Sequence, residues 1–112
     1  MSVEPNETGI NVYESPVFKK TLSKLPEDDV AIIEDAVDAV DAIIENPEIG
    51  QLKKGDLSYL RVHKFSLNGQ QVLLGYNWQE EQLTLYLLNI GPHENFYTNA
   101  KKRRKSDLKF IK

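Results

Sequence analysis

Asn68-Gly69 stands between two runs rich in apolar residues. That dipeptide is the strongest short-range signal for a β-hairpin, because both turn positions need positive φ and Asn and Gly tolerate it. Upstream, residues 57–67 alternate: Leu57, Tyr59, Arg61, His63 and Phe65 share one side, and Ser58, Leu60, Val62, Lys64 and Ser66 the other. Residues 71–78 form the second arm, Gln79-Glu80-Glu81-Gln82 a polar turn, and residues 83–90 a third arm. The expectation is a three-stranded antiparallel meander.

Before Gly50 the period is helical. Val30, Ile33, Val37, Val40 and Ile44 recur at spacings of three and four, and Ile32, Ala36 and Ile43 widen the stripe. The first set is expected to bury against the sheet. Glu34, Asp35, Asp38, Asp41 and Glu45 fall mostly away from it. This helix is expected to start near Pro26, with Glu27, Asp28 and Asp29 in its first turn, and to stop at Asn46-Pro47. A shorter helix opens at Ser15-Pro16, a capping residue followed by a preformed first helical position, and carries Val17, Phe18 and Leu22. Ile10-Asn11-Val12-Tyr13 fits a short strand at the sheet edge, and residues 94–105 a C-terminal helix. Helices followed by strands mean α+β. Residues 1–9 read as a flexible tail and residues 10–112 as one domain.

A chain of 112 residues with 40% hydrophobic content supports one core. The chain has no cysteine, which removes disulfides, thiol chemistry and Cys-zinc sites and fits a reducing compartment. No apolar run approaches the ~20 residues of a membrane span. Residues 1–11 are too polar for a secretory signal, so the expected location is cytoplasmic, with no membrane partner. The net charge of −3 conceals an asymmetry. Residues 1–50 carry three Lys and twelve acids, net −9, whereas residues 51–112 carry eleven Lys or Arg and five acids, net +6. One surface therefore suits an anionic partner. The acid run reads as a solvated helix face; no metal and no cofactor is expected.

Chemistry concentrates in Asn89-Ile90-Gly91-Pro92-His93-Glu94-Asn95-Phe96-Tyr97. A strand ends, a Gly-Pro corner turns, and His93 and Tyr97 emerge four apart on one helical face. Arg61 and His63 lie two apart on one face of a strand, with Lys64 aimed away. Convergence of Arg61, His63, His93 and Tyr97 in one cleft would supply a base, a charge stabiliser and an acid for RNA cleavage by 2′-hydroxyl attack without metal. Each residue also has a structural role available: His63 on an exposed strand, Tyr97 and Phe96 anchoring the last helix, Arg61 paired with an acid. On these residues alone, an RNase and a binding domain are both open.

The order Phe18-Lys19-Lys20, Leu25-Pro26, Leu52-Lys53-Lys54-Gly55-Asp56-Leu57-Ser58-Tyr59-Leu60-Arg61-Val62, Asn68-Gly69-Gln70, Leu74-Gly75-Tyr76 and Ile90-Gly91-Pro92-His93-Glu94-Asn95-Phe96-Tyr97 resembles the RelE/ParE toxin superfamily of bacterial type II toxin–antitoxin modules over roughly residues 10–105. The resemblance implies two N-terminal helices on a small antiparallel sheet with a C-terminal helix. It implies a metal-independent mRNA endoribonuclease acting on the ribosome, or a ParE-like gyrase inhibitor, or a related non-catalytic binding domain. Its implied catalytic residues are Arg61, His63, His93 and Tyr97. The charges of Lys53, Lys54, Lys64, Lys101, Lys102, Arg103 and Arg104 make these the expected RNA contacts. The partners that the resemblance implies are a cognate antitoxin, covering part of residues 51–112, and mRNA on the ribosome with rRNA contacts; higher-order toxin–antitoxin assembly belongs to the same expectation. Two features depart from the pattern: Val72-Leu73-Leu74-Gly75-Tyr76 lacks the second-arm Arg of many RelE-like toxins, and Ile49-Gly50-Gln51-Leu52 lacks the Glu that some members use as a base.

Overall fold

The computed structural model of the protein describes residues 2–3 and 9–111. In chain order these residues form β1 (Ser2–Val3), β2 (Asn11–Glu14), α1 (Pro16–Ser23), α2 (Val30–Glu45), β3 (Gln51–Leu52), β4 (Arg61–Leu67), β5 (Gln70–Gln79), β6 (Thr84–Pro92), α3 (Phe96–Lys102) and α4 (Arg104–Phe110). The strands make one sheet in the order β1-β2-β6-β5-β4-β3. The α+β class and the meander β4-β5-β6 agree with the sequence reading. Asn68 and Gly69 form a two-residue turn with φ of 53° and 77°, closed by the Leu67–Gln70 pair. The tail expected over residues 1–9 falls largely outside the described residues; Ser2 and Val3 pair antiparallel with Tyr13 and Val12.

β2 is not the edge strand the sequence suggested. It lies parallel to β6, with Val12 opposite Leu85, and Val12 is buried. Ser15 makes the handover from β2 to α1. Its hydroxyl accepts from the Phe18 N–H at 3.0 Å and donates to the Leu88 carbonyl at 2.8 Å. One buried side chain thus caps the helix and ties it to β6.

α2 starts later than expected. The Asp29 carboxylate accepts from the Ile32 N–H at 3.2 Å, so Asp29 is the cap and Glu27 and Asp28 precede the helix. Its phase also differs. Ile32, Ala36, Ala39 and Ile43 are buried against the sheet, whereas Val30 and Val37 are 64% and 51% exposed and Ile33 36%. α2 carries two neighbouring apolar stripes. The one with two alanines at its centre admits a closer approach to the sheet, and that packing decides the rotation.

The expected single C-terminal helix is two, broken at Arg103 (φ −98°, ψ 4°). The break folds α4 across the sheet face opposite α1 and α2, where Phe110 meets Tyr86 edge-on at 5.5 Å and the Gln79 side-chain amide donates to the Ile111 carbonyl at 3.0 Å. The sheet therefore separates two cores. Val12, Phe18, Ile43, Leu74, Tyr76 and Leu85 pack under α1 and α2. Leu57, Leu60, Leu73, Leu88, Phe96 and Ile111 pack under α3 and α4. Behind α2, Gly50 donates its N–H to the Tyr76 hydroxyl at 2.9 Å, which in turn donates to the Pro47 carbonyl at 2.7 Å. A Cβ at Gly50 would stand 2.8 Å from the Tyr76 ring, so only glycine fits there.

Candidate functional site

Three of the sequence-derived residues meet on the α3/α4 side of the sheet. β6 ends at Pro92, and the left-handed Asn95 (φ 68°) turns the chain into α3. This turn sets His93 edge-on to Tyr97 with ring centroids 5.7 Å apart. Phe96 supports Tyr97 edge-on from the core at 5.3 Å. From just beyond β3, Lys53 brings its ammonium to 5.1 Å from the Tyr97 ring centroid and donates to the Gln51 side-chain carbonyl at 3.0 Å. The result is a half-buried aromatic plate with an exposed imidazole on one side and a cation over its face. A cation beside a flat ring and an imidazole can pair with phosphate, stack a base and move a proton.

Arg61 does not join this group. It lies opposite Tyr76 in the β4–β5 register, and Tyr76 belongs to the core under α1 and α2. Its guanidinium donates to the Gly50 carbonyl at 3.0 Å and reaches the Glu48 carbonyl at 3.4 Å. The expected cleft of Arg61 with His93 and Tyr97 is therefore divided by the sheet. His63 alternates onto the same face as Arg61, stacks on Phe65 at 6.1 Å, and is held below the usual imidazole range by burial. It nevertheless borders an open depression at the β3–β4 edge together with Lys53 and Lys64. Lys64 corrects the sequence reading in the opposite sense. It pairs with Leu73, whose side chain lies in the α3/α4 core, so Lys64 is on the His93 side.

The basic segment divides as well. Lys54, Lys101 and Lys102 are exposed, Arg103 is half-buried, and Arg104 is anchored by its Nε donating to the Asp56 carbonyl at 2.8 Å. Beneath them lies Asp107, 6% exposed. Burial pushes its carboxyl up to about 6, against the opposing pull of the Arg103 charge and the Tyr59 hydroxyl. Burial, and then the Asp107 charge, push the Tyr59 phenol up to about 12, and its buried oxygen lacks a partner in good hydrogen-bonding geometry. Among the described residues no three His, Asp or Glu side chains gather as metal ligands would.

The opposite face is different. α1, α2 and β2 enclose an apolar groove of about 250 Å³ lined by Val12, Phe18, Leu22, Val37, Val40 and Ile44, with Glu14 and Asp41 at its walls. Burial raises the Glu14 carboxyl.

A family profile described as the ParE-like toxin of type II bacterial toxin–antitoxin systems matches residues 12–101. The chain belongs to that family. It is a type II toxin of the RelE/ParE superfamily. The fold is that of E. coli RelE. The isolated RelE toxin matches with a TM-score of 0.55 at 19% identity, covering 82% of this chain and 95% of RelE. RelE from the intact E. coli RelBE toxin–antitoxin complex matches with 0.56 at 17% identity, covering 72% and 93%. A double-arginine mutant of E. coli RelE in complex with a RelB peptide matches with 0.56 at 18% identity, covering 80% and 90%. No curated protein matches by sequence. No helix among the described residues is long and apolar enough to cross a membrane.

Within this toxin the residues that the sequence reading did not single out are buried or local. Asp107 carries a detectable signal, a lone acid three and four residues after Arg104 and Arg103 inside a basic run.

Proposed function

We propose that this toxin cleaves mRNA on the ribosome, and that Lys53, His93 and Tyr97 form its working group. The observation that carries this reading is a phenol ring in contact with both an ammonium and an imidazole on an exposed, basic side of the sheet. Tyr97 stacks on or orients a nucleobase, worth ~1–3 kcal/mol for one aromatic–base contact. Lys53 stabilises the charge that develops on the phosphate. His93 exchanges the proton between the attacking 2′-hydroxyl and the leaving 5′ oxygen. Lys64, Lys101 and Lys102 hold backbone phosphates. His63 has a supporting place at the rim, and Arg61 acts as a structural tie.

A gyrase-directed toxin is the second reading, and a specific observation favours it. With Arg61 turned to the Gly50 carbonyl and no charge in residues 72–76, the group has one cation fewer than a phosphorane site commonly uses.

In either reading the cognate antitoxin covers the α1/α2 groove with an amphipathic segment. Its apolar side chains fill the cavity beside Val37 and Val40, and its Lys or Arg side chains face Asp38, Asp41 and Glu45. This places the partner on the acidic half of the chain, in place of the coverage of residues 51–112 that the charge pattern suggested.

Induction of the wild type and of His93→Ala, with mapping of mRNA 5′ ends and a supercoiling assay, separates the readings. New mRNA ends that vanish with His93→Ala support cleavage. Growth arrest with intact mRNA and blocked supercoiling moves the assignment to gyrase.

A further inference from the structure

Lys53 belongs to the working group, but the strand that delivers it is slight. β3 is two residues long and sits at the sheet edge, with Gln51 opposite Val62 and Leu52 opposite Arg61. Lys53 follows it, its N–H donating to the Leu60 carbonyl at 2.9 Å. A strand of two residues is shorter than most and holds its own register weakly. Its entry is fixed from the core instead. The Tyr76 hydroxyl accepts from the Gly50 N–H at 2.9 Å and donates to the Pro47 carbonyl at 2.7 Å. Tyr76 is 0% exposed and belongs to the core under α1 and α2. One phenol therefore clamps both ends of residues 47–50, the link from α2 into β3, and the missing Cβ of Gly50 is what admits its ring so close. Arg61 adds an outer tie to the Gly50 carbonyl, and both Tyr76 bonds stand without it.

We infer that the Tyr76 hydroxyl is a positioning group that sets the register of β3 and so seats the Lys53 ammonium over Tyr97; the inference rests on the RNA-cleavage reading. Side chains alternate along a strand, so Gln51 and Lys53 share the Tyr97 face and Leu52 takes the Arg61 face. A slip of one residue against β4 exchanges these faces. It would turn Lys53 away from Tyr97 and put Leu52 in its place. Gly50 directly precedes β3, and its bond to a buried phenol opposes that slip. Tyr76 lies in the core on the far side of the sheet from the working group, so it acts on the chemistry through Gly50 and Lys53 alone. A charged group misplaced by about 1 Å in a working site costs on the order of 10²-fold in rate.

Tyr76→Phe in the full-length protein tests this, since it keeps the ring and removes both hydrogen bonds. Nuclear Overhauser contacts between the Lys53 side-chain methylenes and the Tyr97 ring should be present in the wild type and weaken or vanish in the variant. Ribosome-stimulated cleavage should lose roughly 10- to 10²-fold in kcat with KM little changed. Lys53→Ala should lower cleavage by itself, and Tyr76→Phe added to it should cost nothing further, because residues that act through one another are not additive. Phe18→Leu, a change in the same core on α1, should lower stability and leave the Lys53 contacts and kcat as they are. Intact Lys53 contacts in Tyr76→Phe, or a full additional loss in the double variant, overturn the assignment. Mapping of mRNA ends tests the underlying reading separately: if the wild type cuts no mRNA, cleavage is the wrong activity, and the Lys53 contacts alone decide whether the hydroxyl seats that side chain.

Discussion

The two faces of the sheet carry opposite kinds of surface. Under α1 and α2 lie Tyr76, Phe18 and Ile43, and the outer surface is acidic, with an unfilled apolar groove. Under α3 and α4 lie Leu60, Leu88 and Phe96, and the outer surface is basic, with an aromatic plate between an imidazole and an ammonium. Residues two apart on β4 share a face, whereas residues one apart do not. Arg61 and Lys64 therefore serve different faces although they stand three positions apart. A partner protein and a nucleic acid can then use the same small sheet without competing for one surface.

The sharpest way to break this comparison is to compare His93 with Arg61. His93→Ala should lower ribosome-stimulated cleavage ~10²–10⁴-fold with the fold intact. Arg61→Ala should leave the cut pattern in place and act on stability instead, because its guanidinium serves the carbonyls of residues 48 and 50. If Arg61→Ala abolished cutting in a fully folded protein, the division of labour between the faces would be lost.

The helix phase gives the next contrast. Ile43 is fully buried and Ile33 is 36% exposed on the same helix. Ile43→Ala should cost ~2–5 kcal/mol in chemical denaturation. Ile33→Ala should cost well under half of that, and Val37→Ala, at the wall of the groove and 51% exposed, should act on antitoxin affinity more than on stability. A loss of stability at Val37 equal to that at Ile43 would mean that the groove side of α2 is core in solution.

How far these contrasts were legible in the sequence depends on whether the deciding physics is local. The Asn68-Gly69 turn, the Ser15 cap and the alternation over residues 61–67 follow from neighbouring residues, and the structure reproduces them. Residues 57–60, expected to begin the same strand, instead follow a 3-10 turn at Gly55–Leu57, which puts Leu57 and Leu60 in the same core. The rotation of α2 does not. Two apolar stripes lie side by side, and the choice rests on how closely Ala36 and Ala39 let the helix approach a sheet formed by later residues. The parallel seat of β2 beside β6 has no local signature either, because it is fixed by pairing across more than seventy residues. The division of the expected cleft has the same kind of cause. A register shift at Gly75/Tyr76 puts Leu88 in one core and Ile90 in the other, so alternation counted from residue 83 assigns the end of β6 to the wrong face. His93 and Tyr97 inherit that reversal, whereas Arg61, on β4, does not. Lys53 was read as an RNA contact from its charge; its place over Tyr97 required the return of β3 to the edge of β4.

The smallest contrast concerns what fastens α4 to the basic face, and its sign can be worked out. Asp107 is buried, and its carboxyl titrates at about 6 in the folded chain against 3.8 ordinarily. The folded state therefore binds more protons than the unfolded state between these values, and stability falls as pH rises through that window. Below it both states are neutral at this group and nothing is lost; above it the full loss applies. The Arg103 charge and the Tyr59 hydroxyl reduce the loss without removing it, since the net shift remains upward. Asp107→Asn keeps the shape and removes the titration. It should stabilise the protein by about 1–3 kcal/mol at pH 7.5 and change little at pH 4, flattening the pH profile between. The gain should appear as slower amide exchange in residues 104–110 and leave α2 unchanged, because Asp107 touches only the α3/α4 side. A variant as pH-dependent as the wild type, or one in which α2 is protected equally, would show that the two faces are fastened by one cooperative core instead of two.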